Sequence, residues 1–225
     1  MIPNRHRIDL SKYPRRALLE AFKDREQPCF SVTCNVEIGA LRQRLDVTGH
    51  RFFVTMSWIL SVAANRVPEL RHRLIDGQLY EFERVDPGYT VLLDDHTFSF
   101  CDSVHREDFD VYYADTERRS AAARASPDRS TGDKHHMVFI TSVPWLSFTA
   151  FTHPFSAQYA SIPIFTLGKF FTQRTQVVLP LAVQVHHGLA DGWHVSRFYN
   201  EVQRLVTEPI FLRPNRGLPD RRREC

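Results

Sequence analysis

Hydrophobic positions in this chain change rhythm several times, and each change marks a predicted element. After Ser11, Leu18, Leu19 and Phe22 recur at helical spacing, which predicts a first helix over about Arg15 to Lys23. CFSVTCNVEIG alternates, with Phe30, Val32, Cys34 and Val36 on one side, as a strand does. IGALRQRL reads as a short helix, and the stretch from Phe52 to Val67 is apolar on nearly all sides, the mark of a buried helix. GQLYEFERV, YTVLLDD and HTFSFCDSV read as the strands of a meander. REDFDVYYADTERRSAAARA is helical through Phe109, Tyr112 and Tyr113, and SPDRSTGDKHH is a loop.

Three segments rich in β-branched and aromatic residues follow: MVFITSVPWLSFTAF, SIPIFTLGKFFTQRT and TQVVLPLAVQVHH. They read as core strands. From Asp191 the pattern turns helical, with Val195, Phe198, Tyr199, Val202 and Leu205 on one face and Asp191 placed to cap it. No repeat and no linker interrupts the chain. The expectation is a single α+β domain over residues 1–210, followed by a solvated tail, 211–225, rich in Arg, Pro and Gly.

Composition changes this picture little. At 225 residues the chain suits one sizeable domain, and 43% hydrophobic with 24% charged residues is ordinary for a folded protein. A net charge of +3 gives no reason to expect nucleic acid as a partner. Seventeen Phe suggest aromatic packing or an aromatic pocket. Cys29, Cys34, Cys101 and Cys225 show no metal-binding or disulfide spacing, as expected of free thiols in a reducing compartment. The polar N-terminus is unlike a secretory signal, and the stretch from Phe52 is too short and interrupted to span a bilayer. A cytoplasmic protein without a membrane partner is expected.

Chemistry concentrates in LPLAVQVHHGLADGWHV, Leu179 to Val195, where an apolar strand ends in His186 and His187. Strand alternation puts Val183, Val185 and His187 on one face, and Gln184 and His186 on the other. A neutral imidazole at the end of an apolar row can take a proton from a hydroxyl or thiol. Two satisfied strand-end histidines account for the same letters. A metal site lacks a convincing third ligand nearby. His135 and His136, in DKHHM, lie in a polar loop and read as solvated.

QVHHGLADGWHV resembles the HHxxxDG signature of the chloramphenicol acetyltransferases. PWLSFTAF, from Pro144 to Phe151, and PIFTLGKF, from Pro163 to Phe170, are similar to the two segments that precede that signature in the family, and YPRRALLEAF is similar to its opening. The likeness runs from about Ile8 to Val206. It implies a two-layer sandwich in which helices cover a mixed sheet, the CoA-dependent acyltransferase fold. It also implies transfer of an acetyl group from acetyl-CoA, as co-substrate, to the 3-hydroxyl of chloramphenicol. Neither a metal nor a prosthetic group takes part. The resemblance further implies a homotrimer, in which His187 of one subunit faces the acceptor pocket of its neighbour.

Residue by residue, the resemblance makes His187 the general base and pairs Asp191 with Arg15. Where the family has an oxyanion-stabilising serine, four residues ahead of Trp145, this chain has Thr141. Thr166 matches a threonine that holds a water beside the tetrahedral intermediate, and Lys169 a lysine on the CoA side. Phe22, Phe30 and Phe151 match the acceptor pocket, with Ile164 and Phe98 as neighbours. THPFSAQYASIP departs most from the family wording, on the acceptor side. Three alternatives stand beside this reading: the core of a dihydrolipoyl acyltransferase, an acetyltransferase for another hydroxylated acceptor, and a non-catalytic relative that only binds an aromatic ligand. The chain has no room for a lipoyl domain and no Ala/Pro-rich linker before the core.

Overall fold

The structure is a computed structural model that describes residues 2–213. Its strands are β1 (Arg5–Arg7), β2 (Cys29–Glu37), β3 (His72–Ile75), β4 (Gln78–Phe82), β5 (Asp86–Leu92), β6 (Phe98–Asp102), β7 (Met137–Ser142), β8 (Ile164–Leu167), β9 (Phe171–Gln173) and β10 (Gln176–His186). Its α-helices are α1 (Arg16–Phe22), α2 (Gly39–Thr48), α3 (Phe52–Asn65), α4 (Phe109–Ala125) and α5 (Gly192–Thr207).

The large sheet runs β2-β10-β8-β7-β5-β6, with β9 pairing β10 beyond the end of β8. It is mixed: β7 lies parallel to β5 and β8, and the other pairs are antiparallel. Helices α2, α3, α4 and α5 cover one face, which makes the expected two-layer sandwich. The expected alternation is visible in the ladder. Phe30, Val32, Cys34 and Val36 stand opposite Val185, Val183, Leu181 and Leu179. That β10 row is buried against the helices together with Phe165, Leu167, Val138 and Ile140. The alternate residues Phe139, Thr141, Ile164 and Gln184 therefore belong to the opposite face of the sheet.

Three expectations are corrected. The meander does not form, because β4 pairs with β1 and β3 in a separate three-stranded sheet, and of the three expected strands only β5 and β6 pair with each other. The segment MVFITSVPWLSFTAF is a strand only through Ser142, and residues 143–163 are irregular apart from one short 3-10 turn. The apolar residues of the expected strand beyond Ser142 do not form core rows: Trp145 and Leu146 are each 62% exposed. The core also extends past residue 210. Leu212 is fully buried, and Phe211 packs on Trp58 and Phe109. The expected tail from residue 214 onward lies outside the described residues. Cys29, Cys34 and Cys101 are free thiols. No helix of the described residues is long and apolar enough to cross a membrane.

Candidate active site

At the end of β10 the two histidines take different surroundings. His186 is buried, and its Nδ1 accepts the Gly188 N–H at 3.1 Å. Burial, reinforced by the neighbouring His187, pushes its pKa down to about 4, so it is neutral at pH 7. His187 follows in the turn, where its backbone N–H donates to the Pro28 carbonyl at 2.9 Å. Its ring lies between Phe22 of α1 and Phe30 of β2, with centroids 4.3 and 4.8 Å away. Nδ1 is enclosed without a hydrogen-bond partner, so Nε2 is the nitrogen that a substrate can reach. Two of the residues expected to line the acceptor pocket thus flank the expected base.

The close approach of α1 depends on Gly188. A Cβ at that position would meet the His186 ring at 3.0 Å and the Leu19 Cα at 3.2 Å. With α1 seated there, the residue just ahead of it joins the site. Arg15 Nη1 donates to Asp191 Oδ2 at 2.6 Å, and Nη2 donates to the His187 carbonyl at 3.2 Å. The other Asp191 oxygen accepts the Trp193 N–H at 3.0 Å, capping α5, and lies 2.8 Å from His194 Nδ1. His194 Nε2 is in turn 3.5 Å from Glu69. Burial works against the Asp191 carboxylate. The Arg15 hydrogen bond, His194 and the Trp193 N–H outweigh it and hold the pKa at about 2. One carboxylate therefore caps a helix and anchors the arginine that grips the backbone of His187.

A second group of residues lines a cavity of 220 Å³ on the sheet face away from the helices. Thr141, Ile164, Phe139, Tyr159, Phe100 and His153 are among its walls. The Thr141 hydroxyl has no hydrogen-bond partner among the described residues. Phe100 lines the cavity, and Phe98, two residues away on the same face of β6, packs on it with centroids 5.5 Å apart and is 48% exposed. Phe151 packs on His153 with centroids 5.1 Å apart. Thr166 is almost fully buried and its hydroxyl is bonded to His153 Nε2 at 2.7 Å. Lys169 is exposed, and its backbone N–H donates to the Leu146 carbonyl at 2.7 Å.

These two groups do not meet within one chain. Thr141 stands opposite Thr166, and Thr166 opposite Ala182, five residues before His187. Strand geometry separates Thr141 from His187 by about 17 Å along the sheet and about 10 Å across it. They also belong to opposite faces, since His187 packs on Phe30 of the helix-side row.

The sequence match is as extensive as this geometry. The family model described as chloramphenicol acetyltransferase matches residues 3–203.

The chain belongs to the chloramphenicol acetyltransferase family.

It is 33% identical to a chloramphenicol acetyltransferase of Proteus mirabilis, over 89% of this chain and 94% of that protein. It is 32% identical to chloramphenicol acetyltransferase 3 of Escherichia coli, over 92% of this chain and 99% of that protein. A solved chloramphenicol acetyltransferase superposes with a TM-score of 0.84 at 26% identity, covering 93% of this chain and all of that one. The dihydrolipoamide acetyltransferase of Azotobacter vinelandii superposes with a TM-score of 0.65 at 18% identity, covering 83% of this chain and 85% of its own, which marks a shared fold.

Within this member of the family, sequence reasoning missed His153, Gln184, His194 and Glu69. His153 sits in the stretch that departs most from the family wording, where no periodicity singles out one histidine. Strand alternation gives Gln184 a face but no partner. Its Oε1 accepts the His153 backbone N–H at 2.9 Å and the Ser31 hydroxyl at 3.2 Å. His194 follows the signature closely enough to be visible, but its contact with Asp191 requires the capping geometry of α5.

Proposed function

We propose that the protein transfers an acetyl group from acetyl-CoA to the 3-hydroxyl of chloramphenicol, in a trimer whose active sites lie between subunits. The observation that carries the reading is the separation of His187 from Thr141 in a single chain. The expected base and the expected oxyanion donor can act on one substrate only if they come from different copies. The exposed Trp145 and Leu146 supply apolar surface for such a contact.

In this mechanism His187 Nε2 takes the proton of the acceptor hydroxyl while the oxygen attacks the thioester carbonyl. A positioned base of this kind contributes about a hundred- to ten-thousand-fold in rate. The Thr141 hydroxyl donates to the developing oxyanion; the adduct then collapses with cleavage of its C–S bond, His187 returns the proton to the departing sulfur so that CoA leaves as the thiol, and no acyl-enzyme forms. Arg15 and Asp191 act through position, by holding the backbone that carries His187. Holding both substrates together supplies the proximity term. Lys169 lies on the CoA side, and Phe22, Phe30, Phe151 and Ile164 contribute apolar walls from the two subunits. The enzyme works in the cytoplasm, where acetyl-CoA is made and thiols stay reduced.

The test mixes the protein with acetyl-CoA and chloramphenicol and follows thiol release. Release dependent on chloramphenicol supports the reading. Release with dihydrolipoamide alone favours a dihydrolipoyl acyltransferase, and binding without release with any acceptor favours a non-catalytic relative.

A further inference from the structure

Among the described residues His153 is the one imidazole that lines the cavity, and none of the roles assigned above uses it. Its backbone N–H is fixed by Gln184 at 2.9 Å, and its ring is packed on Phe151. Nε2 lies 2.7 Å from the Thr166 hydroxyl, which has no other hydrogen-bond partner among the described residues. This assigns the tautomer. If Nε2 carried the hydrogen, the buried hydroxyl would have no acceptor for its own. The Thr166 O–H therefore donates to Nε2, and the ring proton resides on Nδ1. Burial lowers the pKa of His153, which keeps the ring neutral at pH 7.

Nδ1–H has no protein partner among the described residues. Neither has the Thr141 hydroxyl, and both residues line the same cavity. Thr141 stands directly across the β7–β8 ladder from Thr166, the residue that holds the imidazole. Adjacent strands are about 4.8 Å apart, so Thr141 neighbours the threonine that holds the imidazole, and both unpaired donors line the same cavity.

We propose that His153 is a catalytic residue that donates through Nδ1–H, beside Thr141, to the oxyanion of the tetrahedral adduct. The proposal rests on the acetyl-transfer reading above. It also gives THPFSAQYASIP a purpose: that stretch delivers a donor beside a threonine hydroxyl whose added methyl restricts its aim. The hydrogen bond tightens as negative charge grows on the oxygen, so the effect falls on the chemical step rather than on binding.

The test compares His153→Leu, His153→Gln and His153→Asn, each checked for native thermal unfolding. Acetyl transfer to chloramphenicol is measured with acetyl-CoA varied. Asn places an amide N–H where Nδ1 stood, whereas Gln reaches toward Thr166 in place of Nε2. The proposal predicts that Leu and Gln lower kcat by about a hundredfold, with both KM values within about threefold of wild type. Asn should stay within about tenfold of wild-type kcat. Recovery by Gln but not Asn would make His153 a support for Thr166 and overturn the proposal. So would a change confined to the KM for chloramphenicol, or no change in any variant. Wild-type protein that transfers nothing to chloramphenicol would instead overturn the functional reading, and this proposal with it.

Discussion

Arg15 and Asp191 are 176 residues apart in the chain and 2.6 Å apart in the fold, and the arginine also binds the carbonyl of His187. The pair is partly enclosed, with side-chain exposures of 12% and 30%. A fully buried pair broken from one side costs about 3–5 kcal/mol, and solvent access here reduces that.

Asp191→Asn should therefore destabilise the protein by about 1–3 kcal/mol and lower kcat more than either KM, because the base is mispositioned rather than removed. Chemical unfolding and steady-state kinetics measure the two effects. Unchanged kcat would show that the pair does not position His187.

His187→Ala should reduce kcat by at least about a hundredfold with the fold retained. His186→Ala should act through stability, leaving the turnover of folded molecules within about tenfold of wild type. The reverse pattern would show that the two imidazoles have been assigned the wrong tasks.

His186 and His72 both have folded pKa values pushed down to about 4, chiefly by burial. The unfolded chain takes up these protons at higher pH than the native state does. The stability linked to them is thus complete above about pH 6.5 and declines as pH falls toward 4. The urea midpoint should fall between pH 7 and pH 4.5, and His186→Gln should flatten part of that slope. Asp191, held at about 2, adds a separate loss only below about pH 4. A midpoint independent of pH across the upper range would contradict neutral burial of the histidines.

Gly188→Ala would force a methyl toward the Leu19 backbone and the His186 ring. Overpacking of this kind costs about 1–3 kcal/mol. Because α1 carries Phe22 and follows Arg15, kcat should fall together with Tm. Full activity in a destabilised variant would show that α1 does not set the site.

Much of this arrangement is legible in the chain because burial on one face imposes a rhythm. β10, α3 and α5 bury whole rows, and β2 packs Phe30, Val32 and Val36 against the same core; their alternation or helical spacing shows it. The polar β1, Arg5–Arg7, lacks such a row and was missed. Residues 143–163 misled for the opposite reason. Their aromatic content is that of a core strand, yet Trp145 and Leu146 face outward, and composition alone does not say which face of a segment is buried. In the site, strand alternation separated His187 from His186 and capping chemistry marked Asp191. The distant partner Arg15 came only from the family likeness, and His153 depends on a loop whose course no local pattern reveals.

The most direct measurement mixes two crippled chains. His187→Ala retains Thr141, and Thr141→Val retains His187. If each site takes one residue from each of two subunits, random co-assembly from equal amounts restores about a quarter of wild-type activity. That is far above either variant alone. If both residues act within one chain, no molecule in the mixture has a complete site, and activity stays at the level of the separate variants.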